Sequence, residues 1–386
     1  MLINLWYVAE WSHAVKDKPV KVKMLGQHFV LFRDAQGKAH CLSDVCLHRG
    51  GSLSGGQVHD NCVACPYHGW RYNGEGDVTF IPTRGEGGEI PKRAKIDAYP
   101  TEERYGLIWV FLGDLPEEER YPIPPFAEWG QPGWKEVTSE YTWKAAAARV
   151  VENGIDMAHA SFVHPVFGHP STADKNYIEK DHKEEWWATH TCVMHPPQFK
   201  DSFWRRFIRK EKQPTRVHPG FYLPGYTVRL QVDLRPGWQL IMFDANTPVD
   251  EFTTRTFAIQ LRSFFRQKMF DKGSVKRLKE ILYQDAAIVE HAAPNWLPET
   301  LANELSVQED KFMSFWRQTR RRHIEEMGWQ IDSLALKSHE GYKAHTIPSP
   351  GRREHPDIRW VLDTVPLKPA TRERKDFVEP ESTAAA

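Results

Sequence analysis

Two cysteine–histidine pairs constrain this chain more than any other feature. Cys46-Leu47-His48 is followed, after sixteen residues, by Cys65-Pro66-Tyr67-His68. Two thiolates and two imidazoles carried on two turns can converge on tetrahedral zinc, or on a [2Fe–2S] cluster with two Cys on one iron and two His on the other. Common zinc motifs pair Cys with Cys and His with His, whereas each turn here holds one of each. Glycines at 50, 51, 55, 56 and 69 surround both turns and let backbone N–H groups come close to cluster sulfurs. Neutral imidazoles in place of thiolates lower the cluster's negative charge and raise its potential. Four of the five cysteines fall between 41 and 65. That clustering argues for a local metal site in a reducing compartment, which places the protein in the cytoplasm. Cys41 and Cys62 lie outside the pattern and read as buried structural thiols.

A second constellation begins at Glu152-Asn153-Gly154-Ile155-Asp156-Met157-Ala158-His159 and runs to His164-Pro165. On a helix, Asp156 and His159 share a face. His159 and His164 are five apart, about 140° around an ideal helix, so they meet at one ion only if the helix bends or ends between them. Pro165 favours such an end, because the residue before proline is pushed out of the α region. Two His and a carboxylate on one side of an ion form the facial triad of non-haem iron(II) oxygenases, with positions left open for oxygen and substrate. The helix expected near 274–292 supplies a carboxylate. Val275, Leu278, Ile281, Leu282, Ile288 and Val289 form an apolar stripe there, and Asp285 sits inside it. A core-facing carboxylate is costly unless it is paired or bound to metal. Asp285 is therefore the expected third ligand, with Asp156 as the alternative and an Arg-paired Asp285 as the plain structural reading.

The rest of the chain frames these sites. Short β-rich stretches punctuated by turns run to about residue 120, and a Pro-rich acidic passage around 115–125 reads as a linker. A helix over 144–152, strands around 222–265 and a charged helix near 307–327 follow. The expected domains are 1–120, 121–340 and a C-terminal extension, 341–386, that is partly flexible. Lys plus Arg equals Asp plus Glu at 51 each, so no bulk charge draws the chain to nucleic acid or an anionic membrane. The longest apolar run, near 107–112, is far too short for a membrane helix and reads as a buried strand. The N-terminus shows no export signal. Fifteen Trp, 20 Phe and 12 Tyr suit a large core with an apolar ligand cavity. Phe162, Phe167, Trp238 and Phe243 are the candidate lining residues. Arginines near 205–216 and 317–322 read as solvated faces, with docking of an acidic ferredoxin as the functional alternative.

Together the two constellations resemble the Rieske oxygenase α-subunit family over roughly residues 1–330. The cluster pattern is C-x-H, then C-x-x-H, and Glu152-x3-Asp156-x2-His159-x4-His164 matches the family's mononuclear iron motif. Gln284-Asp285, with Glu290 five residues on, looks like the segment bearing its carboxylate ligand. The resemblance implies an α+β chain: an all-β Rieske [2Fe–2S] domain, then a catalytic domain with helices over a curved antiparallel sheet, of the helix-grip, START-like kind. It implies a ring-shaped homotrimer in which electrons pass from the cluster of one subunit to the Fe(II) of its neighbour. Asp156 then matches the carboxylate bridging a neighbour's His48 or His68 to His159, and Asn153 matches another polar position near the iron.

No Rossmann fingerprint appears: Gly74-Glu75-Gly76 and Gly85-Glu86-Gly87-Gly88 are turns. Electrons from NAD(P)H must then arrive through a separate flavin reductase, a ferredoxin, or both. The runs 65–72 and 103–110 resemble vanillate O-demethylase and N-demethylases, which favours O₂-dependent hydroxylation or demethylation of an aromatic or polycyclic substrate over the family's ring dihydroxylation. Outside this class, the chain would be a Rieske electron carrier, or a zinc-stabilised ligand-binding protein.

Overall fold

The computed structural model describes residues 1–164, 169–183, 187–195, 214–222, 225–298 and 303–373. The chain forms two compact units. The first holds Met1–Ile123, Thr247–Glu251 and His323–Glu373, and the second Pro124–Asn246 and Phe252–Arg322.

The first unit is a set of small antiparallel sheets. Strands β1 (Leu5–Trp11), β2 (Val20–Met24), β3 (Gln27–Arg33), β4 (Ala39–Ser43), β5 (Gln57–His59), β6 (Cys62–Ala64), β7 (Arg71–Tyr72), β8 (Val78–Phe80), β9 (Ala98–Tyr99), β10 (Thr101–Arg104) and β11 (Leu107–Leu112) build it. They pair in the orders β1-β11-β10, β2-β3-β4-β9 and β5-β6-β7-β8. The apolar run 107–112 is β11, buried at every position because it is central in its sheet. Both Cys–His turns project from this framework, one after β4 and the other between β6 and β7. They close in the same way. Gly50 and Gly69, each four residues beyond a cysteine, take φ of +68° and +70° and return their N–H groups to the carbonyls of Cys46 and Cys65 at 2.9 Å. A side chain at either position would strain that left-handed turn.

Residues 323–373 belong with this first unit, so the expected boundary at 340 does not mark a change of unit. Long-range polar pairing accounts for the return. Arg352 grips both oxygens of buried Asp97 at 2.7 and 2.8 Å, Ser349 adds two more hydrogen bonds, and Tyr99 donates to the carbonyl of Ile347. Within the described part of the expected extension, Thr346, Ile347, Ser349 and Val365 are buried. Residues 374–386, expected to be mobile, lie outside the described residues.

The second unit contains β12 (Lys135–Trp143), β13 (Tyr177–Lys183), β14 (Trp187–Met194), β15 (Thr215–Tyr222), β16 (Thr227–Arg235), β17 (Trp238–Pro248) and β18 (Thr254–Arg262). They form one seven-stranded sheet, β12-β18-β17-β16-β15-β14-β13, antiparallel between β12 and β18 and from β13 through β17. Helices α1 (Ala147–Ile155), α2 (Ala160–Val163), α3 (Asp271–Val289) and α4 (Lys311–Glu325) accompany it. The α3 face that packs on Met242 and Ala258 of the sheet is Leu278, Leu282, Ala286 and Val289, spaced by four, four and three as a helix stripe requires. Ile288 falls off that stripe and is 58% exposed. The α+β architecture is as expected. Among the described residues, no helix is long and apolar enough to cross a membrane.

Candidate metal centres

The helix bearing Asp156 does end where the two histidines require it. α1 stops at Ile155, and Asp156 turns to extended backbone at φ −79°, ψ 123°. A single turn, α2, follows, with His159 at its start and His164, again extended, at its end. Pro165, expected to cause that exit, lies outside the described residues. From α3, Asp285 reaches the same point at 7% exposure.

His159 Nε2, His164 Nε2 and Asp285 Oδ1 form a nearly equilateral triangle. The edges are 3.3 Å between the imidazoles, 3.4 Å from Asp285 to His159 and 3.0 Å from Asp285 to His164. Three mutually cis donors about 2.1 Å from one octahedral ion stand about 3.0 Å apart, so the triangle fits one face of such a coordination shell. Asp285 Oδ1 is buried and makes no well-formed hydrogen bond, as expected of a lone pair aimed at a cation. The outer nitrogens are occupied. His164 Nδ1 lies 2.9 Å from Gln284 Oε1, and His159 Nδ1 lies 3.3 Å from Asp156 Oδ2. Acceptors there fix the protons on Nδ1 and turn both Nε2 lone pairs inward.

Electrostatics agree with the geometry. Burial opposes charge on Asp285, but the adjacent His159 and His164 outweigh it and hold the carboxyl at about 2. Burial likewise works against a charged His159, and Asp156 and Asp285 overcome it, raising the imidazole to about 9. The site is built for positive charge. Gln284 was not singled out by the sequence as a supporting residue, since nothing in its position shows that its amide meets His164. Gln284→Leu should lower iron affinity about 10- to 100-fold, the usual cost of losing such a support, measured by chelator competition.

The four N-terminal donors are arranged differently. Among the described residues, the group of three or more metal-ligating side chains whose donor atoms lie within 4.8 Å of one another is His159, His164 and Asp285. Cys46, Cys65, His48 and His68 form two pairs instead. The two thiols are within reach of each other, and the two imidazole centroids are 4.4 Å apart. Tetrahedral zinc would hold all four donors roughly 3.5 Å apart. A cysteine pair beside a histidine pair fits a two-iron cluster instead. Gly51 is required here, because a Cβ would lie 2.9 Å from Cys65 Sγ. His48 stacks on Trp70 at 5.0 Å, while His68 is exposed.

Tyr72 is a second residue the sequence did not reveal. Its hydroxyl lies 3.1 Å from Cys46 Sγ and accepts the N–H of Leu47 at 3.1 Å, which leaves its own proton to point at the sulfur. Burial, then the adjacent Cys46, push its acidity far out of range, so it remains a donor. Tyr72→Phe should lower the cluster potential. A hydrogen bond of about 1 kcal/mol corresponds to about 40 mV for one electron, read by redox titration.

A match to the Rieske [2Fe-2S] domain family spans residues 5–100, and one to the Vanillate O-demethylase oxygenase C-terminal domain spans residues 143–326. The chain belongs to the Rieske non-haem iron oxygenases. Methylxanthine N1-demethylase NdmA of Pseudomonas putida is 28% identical over 334 residues, 82% of this chain and 87% of that one. The solved structure of Pseudomonas putida NdmA with caffeine superposes with a TM-score of 0.71 at 26% identity, covering 84% of this chain and 91% of that one. The 4beta-methylsterol monooxygenase of Methylococcus capsulatus is 39% identical, over 40% of this chain and 43% of its own length. This Rieske oxygenase is an oxidoreductase of the monooxygenase type.

Other expectations fare differently in this Rieske oxygenase. Asn153 is partly buried in the last turn of α1, with no hydrogen bond to the triad among the described residues. Phe243 points to the sheet face opposite Met242 and stacks on Phe126 at 4.6 Å, because strand side chains alternate. Trp238 is taken up by Phe264 and Arg235, Phe162 is 65% exposed, and Phe167 lies outside the described residues. Arg317 is no solvated charge. It binds Glu152 at 2.5 and 2.8 Å, and Arg149 joins Glu304 beside it. Arg320 is buried over the rings of Tyr226 and Trp316. Of the earlier run, 205–213 lies outside the described residues. Breaking a buried pair from one side costs about 3–5 kcal/mol, so Arg317→Met should lower unfolding stability by that order in urea titrations, against almost nothing for a surface arginine.

Proposed function

We propose that this chain is the terminal oxygenase that hydroxylates or oxidatively demethylates an aromatic or polycyclic small molecule, using O₂ and electrons from NAD(P)H delivered by a separate flavin reductase or ferredoxin. The observation that carries the reading is the triangle of His159 and His164, from the two ends of α2, and Asp285 of α3. Cys46 and Cys65 would hold one iron of the cluster, His48 and His68 the other, and the triangle would hold the mononuclear iron. When bound, the cluster supplies single electrons and the mononuclear iron activates O₂ beside the substrate.

The chain's own residues do the rest. Gln284 and Asp156 keep the Nε2 atoms of His164 and His159 directed inward. All three donors stand on one side, which leaves the opposite side for O₂ and substrate. The helix-facing side of the sheet carries Leu230, Met242, Val217 and Val232 and favours an apolar ring body over water. Asp156 keeps a quarter of its side chain exposed, and His68 is exposed on the first unit. Both facts support a homotrimer in which Asp156 of one subunit meets the neighbour's cluster histidines. Cys41, Cys62 and Cys192, unbridged and outside the cluster ligands, support the cytoplasm as the working compartment.

Methoxylated, N-methylated and polycyclic aromatic compounds, screened with a surrogate reductase while following O₂ uptake and product, test the reading. The expected result is uptake coupled to a hydroxylated or demethylated product for at least one class. Uptake that no compound stimulates, with both metal sites filled, would overturn it.

A further inference from the structure

Among the described residues on the helix-facing side of the seven-stranded sheet is Asp244, a carboxylic acid that the metal centres do not use. Asp244 pairs with Val228 across β16 and β17, as Met242 pairs with Leu230. Met242 packs against Leu278, Leu282 and Ala286 of α3. Strand alternation puts Asp244 on that same face, two residues further along. The end of α1 lies over this spot: a Cβ on Gly154 would stand 3.3 Å from Val228 Cγ1. Asp244 therefore lies on the sheet below the turn that leads to His159, and within electrostatic reach of Asp285.

Two observations set Asp244 apart. Its Oδ1 is buried with no hydrogen-bond partner among the described residues. Yet the residue as a whole is only partly buried. An orphaned buried carboxyl oxygen is destabilising, and an apolar side chain there would remove the cost. Burial, then repulsion from Asp285, push the group up to about 7, so its surroundings resist a bare charge. A carboxyl oxygen accepts a hydrogen bond whether or not the group is protonated.

Resting on the oxygenase reading above, we propose that Asp244 contacts the substrate and selects ring compounds that present an N–H or O–H donor. The carboxyl accepts that hydrogen bond and so turns the ring within the site. A substrate whose donor has been methylated leaves Asp244 unpaired and binds less well, as sites built around a buried hydrogen bond generally discriminate.

Indole and 1-methylindole are the probes, with dissociation constants from equilibrium dialysis of the iron-loaded protein. The wild type should prefer indole about tenfold. Asp244→Leu should abolish the preference and raise the thermal midpoint, whereas Asp244→Asn, which retains an acceptor oxygen, should keep the preference. A purely structural Asp244 would instead lower the midpoint when replaced. Should Asp244→Leu fail to fold, Asp244→Ala reads the same preference. Equal affinities in the wild type, a preference that survives Asp244→Leu or Asp244→Ala, or no saturable binding of either probe overturns the proposal. Oxygen uptake with both probes is followed in parallel. An Asp244-dependent preference without stimulated uptake would count against the oxygenase reading and leave this assignment standing.

Discussion

Asp285→Ala should yield a red-brown protein that retains its Rieske cluster and has lost both its mononuclear iron and its turnover. Asp285 is the single anionic corner of the donor triangle, 3.0 and 3.4 Å from the two imidazoles. Without it, two neutral nitrogens remain, and the charge that balances a divalent ion inside the unit is gone. The affinity loss should far exceed the roughly 100-fold cost of removing a supporting hydrogen bond. Iron should fall from about three to about two per chain, the cluster contributing two. The cluster's spin-resonance signal should be unchanged, because its four donors belong to the other unit. Parallel loss of both signals would mean that Asp285 supports the fold and not the ion.

Asp156→Ala should separate metal binding from turnover. Asp156 uses Oδ1 to accept the N–H of Ala158 at 2.7 Å and Oδ2 to meet His159 Nδ1. Burial works against its ionisation, but His159 and the backbone amides of Ala158 and His159 more than compensate, so it stays a carboxylate. Losing it removes one support from one imidazole, an effect of about 10- to 100-fold on iron affinity that millimolar Fe(II) overcomes. Steady-state turnover should nevertheless fall to background with both metals bound, because the proposed route from a neighbour's His48 or His68 to His159 is cut. Single-turnover product from protein whose cluster is reduced beforehand checks this directly. Turnover within about tenfold of wild type would remove Asp156 from the electron path.

Both metal-binding patterns were legible because their chemistry is local in sequence. The two Cys–His turns each carry their own closing glycine, and His159 and His164 bracket a single helical turn. Asp285 was legible for another reason: a carboxylate in an apolar stripe is anomalous wherever it occurs. What escaped was everything that depends on which surfaces meet. Gln284 and Tyr72 acquire their roles only when a distant imidazole or thiol arrives opposite them. Arg317 and Arg320 look like part of a charge run, yet Glu152, Glu304 and two aromatic rings turn them inward. Phe243 was one residue out of phase, since a strand's apolar residues do not announce which sheet face is covered by helices. The return of residues 323–373 to the first unit hangs on pairs such as Asp97–Arg352, more than 250 residues apart, and no local pattern encodes it.

The central claim is that one chain holds a two-iron cluster between paired thiolates and imidazoles, and a lone iron on a two-histidine, one-carboxylate face. Metal quantitation on anaerobically purified protein, combined with spin resonance after dithionite reduction, tests it most directly. The account predicts about three irons per chain, negligible zinc and a Rieske-type signal. A colourless protein holding zinc at either site, or about two irons with an empty triangle after Fe(II) loading, would contradict it.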